Sequence, residues 1–138
     1  MSGSNVLDKY VSRIPEPVKK PAEEPGAVDD VGAFGLLRGI HDRALMLELR
    51  MKDGNAVAFS YSYMQQASFD PSEGITLHFG GKSVKIVGTN LGVEVRPNLK
   101  LFQAINRHRV AWIQECDAQA ALSAPPRSLV IDRIELDG

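Results

Sequence analysis

The stretch from Ala44 to Gly88 constrains this chain more than any other, because its apolar residues recur at every second position. Leu45, Leu47, Leu49 and Met51 alternate with Met46, Glu48, Arg50 and Lys52. Successive side chains of an extended strand point to opposite faces, so this spacing describes a half-buried strand. Asp53-Gly54 follows, a pair that tolerates the positive φ angles of a tight hairpin turn. Val57, Phe59, Tyr61 and Tyr63 then alternate with Ala58, Ser60 and Ser62. Two alternating runs about Asp-Gly predict a β-hairpin.

The pattern continues. Gln65 to Phe69 either extends the second strand past a bend or forms a short strand of its own. Asp70-Pro71-Ser72-Glu73-Gly74 reads as a turn, since proline presets its φ, aspartate bonds nearby backbone and glycine closes the reversal. Ile75, Leu77 and Phe79 alternate with Thr76 and His78. Gly80-Gly81 makes another tight turn, and Val84 and Ile86 alternate with Ser83 and Lys85. A second hairpin and a four- or five-stranded meander result. Its apolar face requires a cover.

The cover is expected after the connection Gly88–Gly92. Asn90 and Asn98 read as helix caps and Pro97 as a first-turn residue. Two readings are open for 98–115. In one, a single helix runs from Asn98 to Glu115 with Leu101, Phe102, Ile105, Trp112 and Ile113 on one face. In the other, the helix stops near Arg107 and Val110–Gln114 forms a strand. The helical spacing favours the first, and in both Leu101, Phe102 and Ile105 lie over the sheet. Ala118–Arg127, with Pro125-Pro126, is expected to be a loop. Leu129–Leu136 alternates again and predicts a last strand, which completes the sheet or pairs with a second copy of the protein.

At the other end, residues 1–30 carry half of the chain's 8 prolines, at 15, 17, 21 and 25, with Lys19, Lys20, Glu23 and Glu24 and little apolar periodicity. Such a segment buries too little surface to offset the entropy of ordering and predicts a disordered tail. Val6, Tyr10 and Ile14 are the exception, spaced as one face of a short helix. Phe34, Leu37 and Ile40 recur every three residues, but Gly32, Gly35 and Gly39 each cost a helix roughly 1 kcal/mol relative to alanine. Val31–Ile40 is therefore read as an irregular lead-in packed on the sheet. The expectation is a tail over 1–30 and a single globular domain over 31–138. Its fold class is α+β: an antiparallel meander or small, partly open barrel of about five or six strands, with one helix from the C-terminal half.

Chemistry is sparse. Gly81-Lys82-Ser83 has the ending of a phosphate-binding loop, but Thr76 stands where the pattern requires glycine, and the residues fall in a hairpin. His41, His78 and His108 stand apart, and no paired Cys/His spacing suits a structural metal site. No G-x-S-x-G elbow occurs. Cys116 and His108 are about 12 Å apart along a continuous helix, too far for a thiol–imidazole pair. The expectation is a non-catalytic protein without cofactor or metal. Cys116 is the only cysteine, which excludes an internal disulfide and suits a reducing compartment. The first residues lack the basic and apolar regions of a signal peptide and no apolar run is long enough to span a bilayer, so a cytoplasmic location without membrane insertion is expected.

The net charge of −1 excludes a generally basic or acidic binder. Locally, 82–110 carries Lys82, Lys85, Arg96, Lys100, Arg107 and Arg109 against Glu94 alone. If these converge on one face they attract nucleic acid or anionic lipid. Stacking would also need exposed aromatics, whereas Phe59, Tyr61, Tyr63 and Phe79 share the apolar faces. Sheet edges leave unpaired backbone groups that favour strand addition. The leading expectation is an interaction module for a protein partner or for itself, forming homo-oligomers. The alternative is nucleic-acid binding through the basic segment.

Overall fold

Two sheets face each other across one core, with a short helix filling the gap that neither sheet closes. This computed structural model describes residues 26–138. The expected tail falls mostly outside the described residues, as do Val6, Tyr10 and Ile14. Its last residues do not: Val28–Asp30 form strand β1.

The first sheet has the order β1–β2–β10–β3–β4. Beside β1 it contains β2 (Phe34–Leu37), β3 (Met46–Arg50), β4 (Ala56–Ser60) and β10 (Val110–Gln114). The second has the order β11–β7–β6–β5, from β5 (Met64–Asp70), β6 (Gly74–Phe79), β7 (Lys82–Thr89) and β11 (Val130–Asp137). β8 (Glu94–Arg96) and β9 (Leu99–Lys100) form a small ribbon. The helices are α1 (Leu101–Asn106) and α2 (Ala118–Ser123). The fold is α+β with antiparallel sheets and no closed barrel. It has more strands than the five or six expected, in two main sheets instead of one meander.

Both hairpins stand as the alternation requires. Leu47 pairs with Phe59 and Leu49 with Val57 across β3 and β4, and Ile75 pairs with Ile86 across β6 and β7. In the β5–β6 turn, Asp70 Oδ1 accepts from Ser72 N at 2.9 Å and Ser72 Oγ at 2.7 Å, and these bonds hold its carboxyl below the usual carboxylate range. Gly74 closes that turn at φ +115°, where a Cβ would stand 2.2 Å from the Ile86 carbonyl oxygen.

The core draws Phe34, Leu47, Leu49, Val110 and Ile113 from one sheet and Ile75, Leu77, Val84, Ile86 and Ile131 from the other. Leu101 and Ile105 of α1 are fully buried among them, as the apolar spacing predicts. Each such side chain contributes roughly 1.5–3 kcal/mol on leaving water.

Several expectations are corrected. The helix does not run to Glu115. It ends at Asn106, Arg107 closes it, and His108 turns into the left-handed region at φ 57°. The chain then extends as β10, between β2 and β3. It runs antiparallel to β2 and parallel to β3, the sheet's one parallel pairing. The lead-in Val31–Ile40 contains β2, buried along its whole length. Gly35 is there because the Trp112 indole lies on it: a Cβ would sit 2.2 Å from Nε1. Within Ala118–Arg127 the chain makes α2, capped by Asp117 Oδ1 accepting from Ala120 N at 2.7 Å.

Asn90 and Asn98 do not cap helices. Both have positive φ, 58° and 63°, and Pro97-Asn98 forms the tight connection between β8 and β9. Proline followed by a residue at positive φ is the combination a type II turn uses.

Candidate functional site

Strand β4, Ala-Val-Ala-Phe-Ser, lies at the end of the first sheet, and no described strand pairs with its outer side. The hydrogen-bond register shows which groups that leaves open. Met51 N donates to Asn55 O at 2.7 Å and Tyr61 N to Leu45 O at 3.0 Å. Antiparallel bonding alternates along a strand, so Val57 and Phe59 turn their amides and carbonyls toward β3. Ala56 and Ala58 turn theirs away.

Natural edges are usually guarded by charge, proline or a bulge. β4 has none of these; its only polar side chain is Ser60, whose hydroxyl lies 2.7 Å from that of Ser62. Its inward residues anchor it: Phe59 stacks on Phe79 with ring centroids 4.9 Å apart. Its outer flank opens into a cleft of about 460 Å³ lined by Val57, Ala58, Phe59, Lys82 and the chain end from Leu136 to Gly138. Leu136, which lines that cleft, is 44% exposed; Met46, opposite Ser60 on β3 and so one strand further in, is 46% exposed.

The other edges are better protected. Asp29 of β1 is bound by Arg38 and Arg96, and the Arg38 guanidinium above all holds its carboxyl below the ordinary range. β5 carries a register irregularity between Met64 and Gln66 and ends in the charged Asp70, both of which guard an edge. The outer side of β11 is occupied at its middle by Glu115. That carboxylate accepts from Ile134 N at 2.6 Å and Lys52 N at 2.9 Å, and Cys116 N donates to Ile131 O at 2.8 Å. Glu115 thus ties the end of β3 to β11 and has both oxygens engaged. β4 lacks any equivalent among the described residues.

A larger cleft, about 620 Å³, lies between Val31–Phe34, β8, α2 and the start of β11. Glu115 and Asp117 on its wall are engaged as described. Cys116 is half-buried there. No cluster of three His, Cys, Asp or Glu that could hold a metal occurs among the described residues. No helix there is long and apolar enough to cross a membrane.

The six basic residues of 82–110 are spread over β7, β8, the two ends of α1 and the approach to β10. Lys82 begins β7, where its Nζ is 3.3 Å from Gly138 O, and Lys85 on the same strand pairs with Glu73 at 2.8 Å. Arg96 of β8 pairs with Asp29 at 3.3 Å. Lys100 precedes α1 and Arg107 follows it, both exposed. Arg109 is half-buried and donates from Nη2 to Leu37 O at 2.7 Å, which supports β2. Its Nε is the one buried side-chain polar atom without a partner among the described residues. Lys82-Ser83 occupies the β6–β7 hairpin, as expected, not a strand-to-helix loop.

Of the aromatics assigned to the core, Phe79 and Tyr61 are buried, Phe59 is half-buried and Tyr63 is 68% exposed. Tyr61 donates its hydroxyl to Val110 O at 2.7 Å, and burial pushes that hydroxyl's pKa up. His108 stacks on Tyr61 at 4.4 Å, and loss of water together with nearby Arg43 pulls its imidazole pKa down. These contacts make His108 part of the junction between α1 and β10.

The sequence shows the strand but not its place at an edge, which arises because β5 leaves through the 3-10 turn Tyr61–Tyr63 to join the second sheet and does not pair with β4. One signal for an edge was present: Ala-Val-Ala-Phe-Ser offers small residues on the face away from the core. No protein-family model, curated protein or solved structure matches this chain.

Proposed function

We propose that this protein is a non-catalytic interaction module that captures an extended segment of a protein partner along β4. Strand addition supplies affinity through main-chain bonds and specificity through alternating side chains. The observation carrying this reading is the β4 edge, a strand without charged residues whose Ala56 and Ala58 turn outward beside an open cleft. The bound segment would add a sixth strand to the first sheet, next to Leu136.

Ala58→Pro tests it. Proline is tolerated on an edge strand where its missing N–H would face solvent, so the β3–β4 ladder is kept. A random heptapeptide library selected on the wild-type protein is expected to yield alternating apolar sequences. Their binding should fall at least about tenfold on Ala58→Pro, a loss of about 1.4 kcal/mol, with the melting temperature within a few degrees of wild type. Selection that returns no common pattern, or peptides that bind the proline variant equally well, would overturn it.

Nucleic-acid binding through 82–110 rests on local charge alone, and Lys85 and Arg96 already hold carboxylates. Salt-sensitive binding of single-stranded RNA that weakens on Lys85→Ala with Arg107→Ala would instead support that reading.

A further inference from the structure

We infer that one occupant of the β4 edge is β4 of a second copy, paired antiparallel about a two-fold axis through Ala58; this rests on the strand-capture reading above. The edge is self-complementary. A two-fold contact places the same surface on both copies, so residues equally distant from the axis oppose each other. With Ala58 on the axis, Ala56 faces Ser60 of the second copy and Val57 faces its Phe59.

Each juxtaposition is favourable. On the outward face, alanine meets alanine and alanine meets serine, so no bulk prevents close approach of the two ladders. On the inward face a β-branched residue meets an aromatic, a pairing that stabilises antiparallel strands. No like charges oppose each other, because β4 has no charged residue. Lys82 and Asp137 line the adjoining cleft, so each copy brings one charge of each sign to the border.

The backbone parity agrees with this register. Ala58 turns its N–H and C=O outward, as the bond pattern at Met51 and Tyr61 establishes. An antiparallel pair centred on such a residue exchanges both bonds there. Shifting the register by one residue would put inward-bonded Val57 or Phe59 opposite outward-bonded Ala58, and the ladder would not form. Strands of this parity allow only even offsets. An offset of two residues moves the axis by one, to Val57 or Phe59: the first sets Ser60 against Gly54 in the exposed turn, and the second sets Ala56 against Ser62 and Val57 against Tyr61 in the 3-10 turn Tyr61–Tyr63. The axis through Ala58 uses the whole strand.

Cross-linking tests the register directly. Residues in a hydrogen-bonded antiparallel pair have Cα atoms about 5.5 Å apart, within the range a disulfide spans. In a Cys116→Ser background, Ala58→Cys chains should oxidise to a covalent dimer at least about tenfold faster than Ala56→Cys chains, whose mate is Ser60. A mixture of Ala56→Cys and Ser60→Cys chains should form the mixed dimer. Light scattering on the Cys116→Ser parent should show a dimer population that rises with concentration and disappears on Ala58→Pro.

Equal cross-linking at 56 and 58, or a strict monomer at millimolar concentration with no covalent dimer of Ala58→Cys chains, would overturn self-pairing. If library peptides still bind the wild type and are lost on Ala58→Pro, strand capture survives and only the second copy is rejected. If peptides fail as well, the reading beneath falls with it.

Discussion

Replacing Glu115 with alanine is expected to cost about 3 kcal/mol or more of folding stability. The carboxylate accepts two backbone N–H groups from different elements, Lys52 beyond β3 and Ile134 of β11. Glu115 is 9% exposed and the Ile134 bond is buried, so water cannot readily replace it. A buried donor left without its acceptor costs about 1–3 kcal/mol, and bonds to charged groups lie at the upper end. Glu115→Gln keeps a single acceptor oxygen and turns a donor toward the second amide, so about half the loss is expected. Urea unfolding followed by tryptophan fluorescence measures both. A loss below about 1 kcal/mol for Glu115→Ala would show that the two sheets do not depend on this bridge.

The second large effect is expected at Phe34. Its side chain is fully buried, and its strand pairs with β10 through Ile113. Truncating a buried phenylalanine typically costs about 3–5 kcal/mol, because the cavity collapses only in part. Phe34→Ala should therefore lower the denaturation midpoint severely, while Ile40→Ala, on a side chain that is 70% exposed, should change stability by less than about 0.5 kcal/mol. An irregular lead-in that packed Phe34 and Ile40 alike on the sheet would give the two substitutions similar effects. The contrast asks whether Val31–Ile40 contains a core strand.

How far the sequence reveals this fold depends on whether a local signal agrees with tertiary context. At β3, β4, β6 and β7 it does, since alternation, turn glycines and burial all point one way. At Phe34–Leu37 it does not. Gly35 argues against regular structure when read locally, yet it is required because Trp112 lies over that position. Nothing near Gly35 in the sequence announces a tryptophan 77 residues later. At Val110–Gln114 the register slips between Val110 and Trp112, so Val110 and Ile113 both face the core three residues apart. That spacing imitates a helix. His108 at positive φ is the break, and a histidine tolerates that region without advertising it. Pro97-Asn98 was legible in principle, because proline before asparagine suits a turn as well as a helix start.

The candidate site follows the same division. Lysines and arginines stand out in a sequence, and their clustering over 82–110 is real, but carboxylates brought from distant segments hold two of the six. The β4 edge is marked by an absence of charge on five ordinary residues. It acquires meaning only once the strand order is known. An unguarded edge invites pairing with another strand, and that is the physical ground of the proposed strand capture.

Residue-resolved amide hydrogen exchange along β4 tests the central claim most directly. In dilute solution, Val57 and Phe59 should be protected by β3, while Ala56 and Ala58 exchange at rates approaching those of an open chain. As concentration rises, Ala58 should slow most. Uniform protection of Ala56 through Phe59 in the dilute sample would mean that the outer side of β4 is already paired, and would contradict the account.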